Sequence, residues 1–131
     1  MTMETSHIKP TEAELSLLNI LWKEGPSTVR QIHEAVKINH NTGYTTVLKI
    51  LQIMHEKSLV VRDESNRAHI YSAADSEVVT QSSLLKDLAF KAFDGSTSKL
   101  VMRALDTSTS KKDIDDIRQL LDQLEQRSEA I

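Results

Sequence analysis

The most constraining feature of this chain is a change of apolar period near Leu59. Before it, apolar residues recur every three or four positions in three short segments; after it come two short β-rich runs. A helical repeat and a strand repeat bury different sets of side chains, so the switch divides the chain into elements of different type. Thr11-x-x-Glu14 has the form of a capping box and predicts a helix start. Leu15, Leu18, Leu21 and Trp22 supply its apolar face, and Gly25-Pro26 ends it. Thr28-x-x-Gln31 predicts a second start, with Val29, Ile32 and Val36 inward. A polar loop, Ile38-Asn39-His40-Asn41, precedes a third helix from about Thr42 to about Lys57. Tyr44, Val47, Leu48, Leu51 and Met54 form its inward stripe, and Thr42, Thr45, Thr46, Lys49, Gln52 and Glu56 lie opposite.

Leu59 to Asp63 and Ala68 to Tyr71 then read as two strands of a hairpin, joined through Glu64-Ser65-Asn66-Arg67. Three short helices followed by a small hairpin make a winged helix-turn-helix, assigned to a DNA-binding domain over residues 1–73. From Asp75, read as a cap, helical spacing returns. Val78, Leu84, Leu85, Leu88 and Phe93 point inward, Gly95 breaks the helix, and Leu100, Val101, Ala104 and Leu105 mark a short one. Ser110-x-x-Asp113 caps a last helix carrying Ile114, Ile117, Leu120, Leu121 and Leu124. The expected fold is mainly α with a small β-hairpin wing, followed by an all-helical domain over 74–131. That second part is too short to be stable alone without a staple. Association with a second copy is the simplest way to cover its stripe, with Leu84, Leu88, Leu100, Val101, Ile114, Ile117, Leu121 and Leu124 as the dimerisation residues.

Composition narrows the chemistry. No cysteine is present, which excludes disulfides, thiolate metal sites and cysteine nucleophiles. The five histidines (His7, His33, His40, His55, His69) never pair at helical ligand spacing, so neither metal nor cofactor is expected. No Gly-rich phosphate loop or nucleophile elbow is visible, which argues against an enzyme. The start lacks a secretory pattern and Leu15 to Trp22 is too short and too polar to span a bilayer, so a cytoplasmic protein without membrane partners is expected.

Charge alone does not announce nucleic acid. Residues 1–73 balance eight Lys/Arg against eight Asp/Glu, and only the window 27–72 is weakly basic, with six against four. The case for double-stranded DNA comes from architecture and local chemistry. A major groove ~12 Å wide admits one helix and presents donors, acceptors and thymine methyls. Thr42, Thr45 and Thr46 offer hydroxyls and methyls, while Lys49 and Gln52 can reach phosphate and a base edge. Gly43 allows close approach of the helix start to a phosphate. Lys37, Arg62 and Arg67 are candidates for flanking phosphates, with Arg67 on the wing. Trp22 and Tyr44 are expected in the core rather than stacked on a base. Two competing readings are a winged-helix module that binds protein and a sensor with a small ligand among the C-terminal helices.

Several segments together resemble the penicillinase-repressor (BlaI/MecI) family of bacterial regulators. They are Thr11-Glu12-Ala13-Glu14-Leu15, Ile20-Leu21-Trp22, Gly43-Tyr44-Thr45-Thr46-Val47-Leu48, Glu56-Lys57, Arg67-Ala68-His69-Ile70-Tyr71 and Phe93-Asp94-Gly95-Ser96 with Leu100-Val101. The resemblance implies a homodimer that represses genes from a palindromic operator, β-lactamase or related stress genes among them, and a regulatory protease or other inducer as a further partner. Four departures stand out. The cysteine cluster of the copper-responsive branch is missing, Ile53 replaces a basic residue late in the recognition helix, and Ser58 replaces the Gly after Glu-Lys. The Asn-Phe bond cleaved in antibiotic-responsive members is replaced by Met102-Arg103-Ala104.

Overall fold

The structure is a computed structural model of the 131-residue chain. It describes residues 9–37, 42–107 and 109–129, Lys37 by its backbone alone. The loop expected over 38–41 lies outside the described residues. In chain order the elements are α1 (Glu12–Glu24), β1 (Ser27–Thr28), α2 (Val29–Lys37), α3 (Tyr44–Glu56), β2 (Val60–Asp63) and β3 (Ile70–Ala73). They continue with α4 (Glu77–Ala92), α5 (Thr97–Thr107) and α6 (Lys111–Glu129). The chain forms two compact units, and the division falls inside α4 between Leu85 and Lys86.

In the first unit, both expected capping boxes are present. Glu14 N–H donates to Thr11 Oγ1 at 3.1 Å and Thr11 N–H to Glu14 Oε1 at 2.9 Å. Gln31 N–H donates to Thr28 Oγ1 at 3.2 Å and Thr28 N–H to Gln31 Oε1 at 2.9 Å. Each box satisfies two amides that a helix start would otherwise leave without partners. Gly25, at φ 83°, ends α1 in a backbone conformation that a side chain would strain.

One core joins three helices and the sheet: Leu17, Leu18, Leu21, Val29, Ile32, Val36, Val47, Leu51, Met54, Val60 and Tyr71 are all buried. Two details of the α1 face differ from the periodic reading. Leu17, not Leu15, is the fully covered leucine of the first turns, and Glu14 is buried beside it. Trp22 is half-buried against the core, and its indole N–H donates to the Asp75 carbonyl at 3.0 Å.

The sheet has three antiparallel strands in the order β1-β3-β2, one more than the expected hairpin. Two residues, Ser27 and Thr28, make β1 and pair with Tyr71 and Ile70. A two-residue strand has no period to detect. In the hairpin, Val60 faces Ala73 and Asp63 faces Ile70, so the second strand starts two residues later than expected. That register drives Tyr71 into the core. At the next junction Ser76, not Asp75, caps α4, its hydroxyl accepting from Val79 N–H at 3.2 Å.

Three interactions fix the far end of α3. Ser58 N–H donates to the His55 carbonyl at 3.1 Å and Leu59 N–H to the Met54 carbonyl at 2.9 Å. This closure demands a left-handed residue, and Ser58 adopts φ 65°. Lys57 Nζ reaches Glu14 Oε2 at 2.8 Å, tying the end of α3 to the start of α1. Burial pushes the Glu14 carboxyl up, but Lys57 and the Thr11 amide and hydroxyl outweigh it and hold it below its ordinary 4.5.

In the second unit, Ser96 and Ser110 cap α5 and α6 through the amides of Lys99 and Asp113, both at 3.1 Å. Asp94 and Gly95 take positive φ between α4 and α5. Little of the expected inward face is covered by the protomer itself. On α4, which begins in the first unit, only Ala89 is buried, whereas Val78 and Leu85 before the division and Leu88 after it are exposed; on α6 no described residue is buried.

Two outcomes follow for stability. Ser58→Gly relieves a left-handed side chain and is expected to raise the unfolding free energy by about 1 kcal/mol in chemical denaturation; an unchanged or lower midpoint contradicts the strain. A carboxyl with a lowered folded pKa stabilises the fold above its unfolded pKa and loses that contribution as pH falls through the folded one. Acid titration of stability should therefore show a loss below about pH 4.5 that Glu14→Gln removes; identical acid profiles for the two proteins would refute it.

Candidate nucleic-acid interface

The rotational setting of α3 decides what it offers to solvent. Val47, Leu51 and Met54 are 0–1% exposed, so their side of the helix is locked inward. At about 100° per residue, Thr45, Lys49, Gln52 and Glu56 then lie along the opposite strip, with Thr46 and Ile53 on one flank. All six are exposed. This is a polar strip that carries one cation and one anion, bordered by the methyl of Thr46 and the side chain of Ile53.

The helix begins later than the sequence suggests. Gly43, in an extended conformation, is the residue before the first turn, and no side chain caps the amides there. Space around Gly43 is open, with nothing within 4 Å of where a Cβ would stand. Thr42 precedes the helix and is half-buried, so it does not share the outward strip of Thr45 and Lys49. Its carbonyl accepts from His33 Nε2 at 2.9 Å, a bond that joins α2 to the entry of α3.

Tyr44 departs most from the reading of the sequence. Its place in the inward stripe is not realised: it is 47% exposed. The core stripe extends N-terminally only to Val47, and the turn before it lies beyond the end of the packed region. The Tyr44 ring meets His33 edge-on, with ring centroids 5.8 Å apart and planes at 81°.

On the wing, Arg62 and Arg67 have separate fates. Arg62 Nη2 and Nε both lie 2.6 Å from Glu64 Oε2. The Tyr71 hydroxyl and Glu64 together raise the Arg62 pKa further, and Arg62 in turn holds the Glu64 carboxyl low. Arg62 is therefore committed to an intramolecular pair, one that organises the base of the turn. Arg67 is exposed in the turn between β2 and β3. Asp63 accepts from the Ser65 amide at 2.9 Å and from its hydroxyl at 2.7 Å, which keeps the Asp63 carboxyl low and the turn shaped. The side chain of Lys37 lies outside the described residues.

The residues assigned to dimerisation also divide. Leu100 is buried, and Leu84 and Ile117 are half-buried. Leu88, Val101, Ile114, Leu121 and Leu124 are exposed, and Phe90, Met102, Leu105 and Leu120 extend the uncovered apolar surface. Among the described residues no group of three or more His, Asp or Glu side chains is placed to hold a metal ion, and no helix is long and apolar enough to cross a membrane.

Comparison with known proteins agrees with this geometry. The model of the family described as penicillinase repressor matches residues 10–123. The transcriptional regulator BlaI of Mycobacterium tuberculosis, in two strains, is 29% identical over 115 residues, covering 87% of this chain and 83% of the relative. A match that runs through the winged helix and on into the C-terminal helices, over most of the chain, makes this protein a transcriptional repressor of the penicillinase repressor family.

Proposed function

We propose that the chain works as a cytoplasmic homodimer on a two-fold symmetric operator, with residues 1–73 binding DNA and residues 74–131 dimerising. The observation that carries this reading is the outward strip of α3. Its hydroxyls, methyls, ammonium and amide match what the edges and walls of a major groove present. Thr45 and Gln52 address bases, Thr46 and Lys49 the phosphate backbone, and Gly43 leaves room for the DNA backbone at the uncapped helix start. Arg67 reaches a flanking phosphate from the wing, and Arg62 shapes that wing through Glu64 and Tyr71. Lys37, at the end of α2, is placed for a further phosphate contact.

Dimerisation is supported by what the single chain leaves uncovered. A 19-residue helix with no fully buried residue is marginal in water, since most helical stability in proteins comes from packing an apolar face. The Ile114, Leu121 and Leu124 stripe with Leu88 and Val101 supplies a face for a second copy. Two recognition helices then meet sites about 34–36 Å apart, or a multiple of that spacing. The regulated genes follow the family's pattern, with β-lactamase or related stress genes as candidates. For derepression, an inducer other than cleavage at an Asn-Phe bond is favoured. The corresponding segment is Met102-Arg103-Ala104, held in the middle of α5.

The test uses the full chain and a duplex from the region upstream of its own coding sequence. Thr46→Ala combined with Lys49→Ala is expected to abolish specific retardation of that fragment while leaving thermal stability unchanged. Undiminished binding by the double variant would remove this face from the interface. Separately, Leu121→Asp with Leu124→Asp is expected to sediment as a monomer and to bind the fragment at least tenfold more weakly; a variant that remains dimeric rules out the α6 stripe as the joint.

A further inference from the structure

Tyr44 sits on the flank of α3 opposite Thr46 and Ile53, about 100° from Thr45 and well off the base-reading strip. A helix inserted in a groove faces bases with its centre and the phosphate walls with its flanks, so a polar group on the flank meets backbone rather than bases. Tyr44 is 47% exposed, and among the described residues nothing accepts or donates a hydrogen bond at its hydroxyl. Its ring nevertheless has an oriented neighbour. His33 packs edge-on against it at 5.8 Å, and the same imidazole donates from Nε2 to the Thr42 carbonyl at 2.9 Å. One side chain of α2 thus sets both the backbone just before α3 and the direction of the first ring on α3. An exposed aromatic held this way loses little freedom on binding, which favours a contact.

We propose that Tyr44 is a DNA-backbone contact, its phenol hydroxyl donating to a phosphate oxygen at the edge of the major groove, and that His33 is the positioning residue that aims it. This rests on the DNA reading given above and adds to it a contact outside the polar strip. A neutral hydroxyl donor differs from a lysine in one measurable respect. It strengthens binding without releasing a counterion, so its loss lowers affinity while the salt dependence stays the same.

The experiment measures affinity by fluorescence anisotropy with the full-length protein and a labelled duplex of its own upstream region, across a salt series. Tyr44→Phe is expected to bind about tenfold more weakly with an unchanged log–log salt slope and an unchanged Tm. Lys49→Ala, by contrast, should flatten the slope by about one per subunit. In a His33→Ala background, Tyr44→Phe should cost less than about twofold, because the ring is no longer aimed. Wild-type affinity in Tyr44→Phe overturns the contact, and an undiminished Tyr44→Phe penalty in the His33→Ala background overturns the positioning role. If the wild-type protein itself fails to bind the duplex, the DNA reading falls and this contact with it. If wild type binds, Thr46→Ala/Lys49→Ala does not, and Tyr44→Phe matches wild type, only the contact falls.

Discussion

The burial of Val47, Leu51 and Met54 against α1, α2 and the sheet is the constraint on which the rest of this molecule depends. Removing a large aliphatic side chain from water is worth roughly 1.5–3 kcal/mol, and three on one face outweigh any preference of the opposite face. Rotating α3 by one residue, about 100°, would expose that stripe and turn inward either Leu48, Gln52 and His55 or Thr46, Ile50 and Ile53. Each set trades a buried apolar residue for a polar one, and burying a polar group without a hydrogen bond costs free energy. The polar strip that includes Thr45, Lys49 and Gln52 is therefore exposed as a consequence of core packing. Its composition is free to vary as long as the stripe beneath it stays apolar.

Rotation is fixed by the core, but the ends of α3 are set by polar bonds. At its start, His33 holds the Thr42 carbonyl, so the entry to the helix moves with α2. At its end, the left-handed Ser58 turns the chain into β2, and Lys57 reaches back to Glu14 on α1. The Glu14 carboxylate serves two groups at once, the Thr11 amide of its own capping box and the Lys57 ammonium, and through Lys57 it holds the end of α3. A buried carboxylate is tolerable only when partnered this fully. The wing repeats the pattern on a smaller scale, with Arg62, Glu64 and Tyr71 linked across the β2–β3 register pair of Arg62 and Tyr71.

Much of this was legible in the residues, and the exceptions have physical reasons. Capping boxes at Thr11 and Thr28 are local hydrogen-bond patterns, so they can be read without knowing the fold, and both are formed. The α2 stripe of Val29, Ile32 and Val36 is buried as its spacing implies. Leu15 and Leu17 are both apolar, and only the packing direction of α1 chooses between them. Strand β1 is too short to have a period. Tyr44 fits the helical stripe by spacing but lies one turn beyond the packed region, and no sequence pattern marks where packing ends. Arg62 reads as a free cation until the hairpin register brings Glu64 and Tyr71 to it.

The two halves of the chain solve stability differently, and this bears on how a mildly charged protein could hold an operator. The first unit has a core of its own, whereas α6 buries no described residue within the protomer. In the proposed dimer the C-terminal helices gain their burial from the partner, so the order of that region and the pairing of two winged helices become one event. Linked in this way, the second winged helix meets its half-site at an effective concentration set by the joint rather than by the cell. Each half-site contact can then be weak. A window of six cations against four anions, with Arg62 already engaged by Glu64, offers little attraction to DNA in general. Low background affinity is an advantage for a repressor that must be found at one site among many competing sequences. In the proposed dimer, weak electrostatics and an uncovered apolar tail are two sides of one arrangement, in which pairing would supply the affinity that charge withholds.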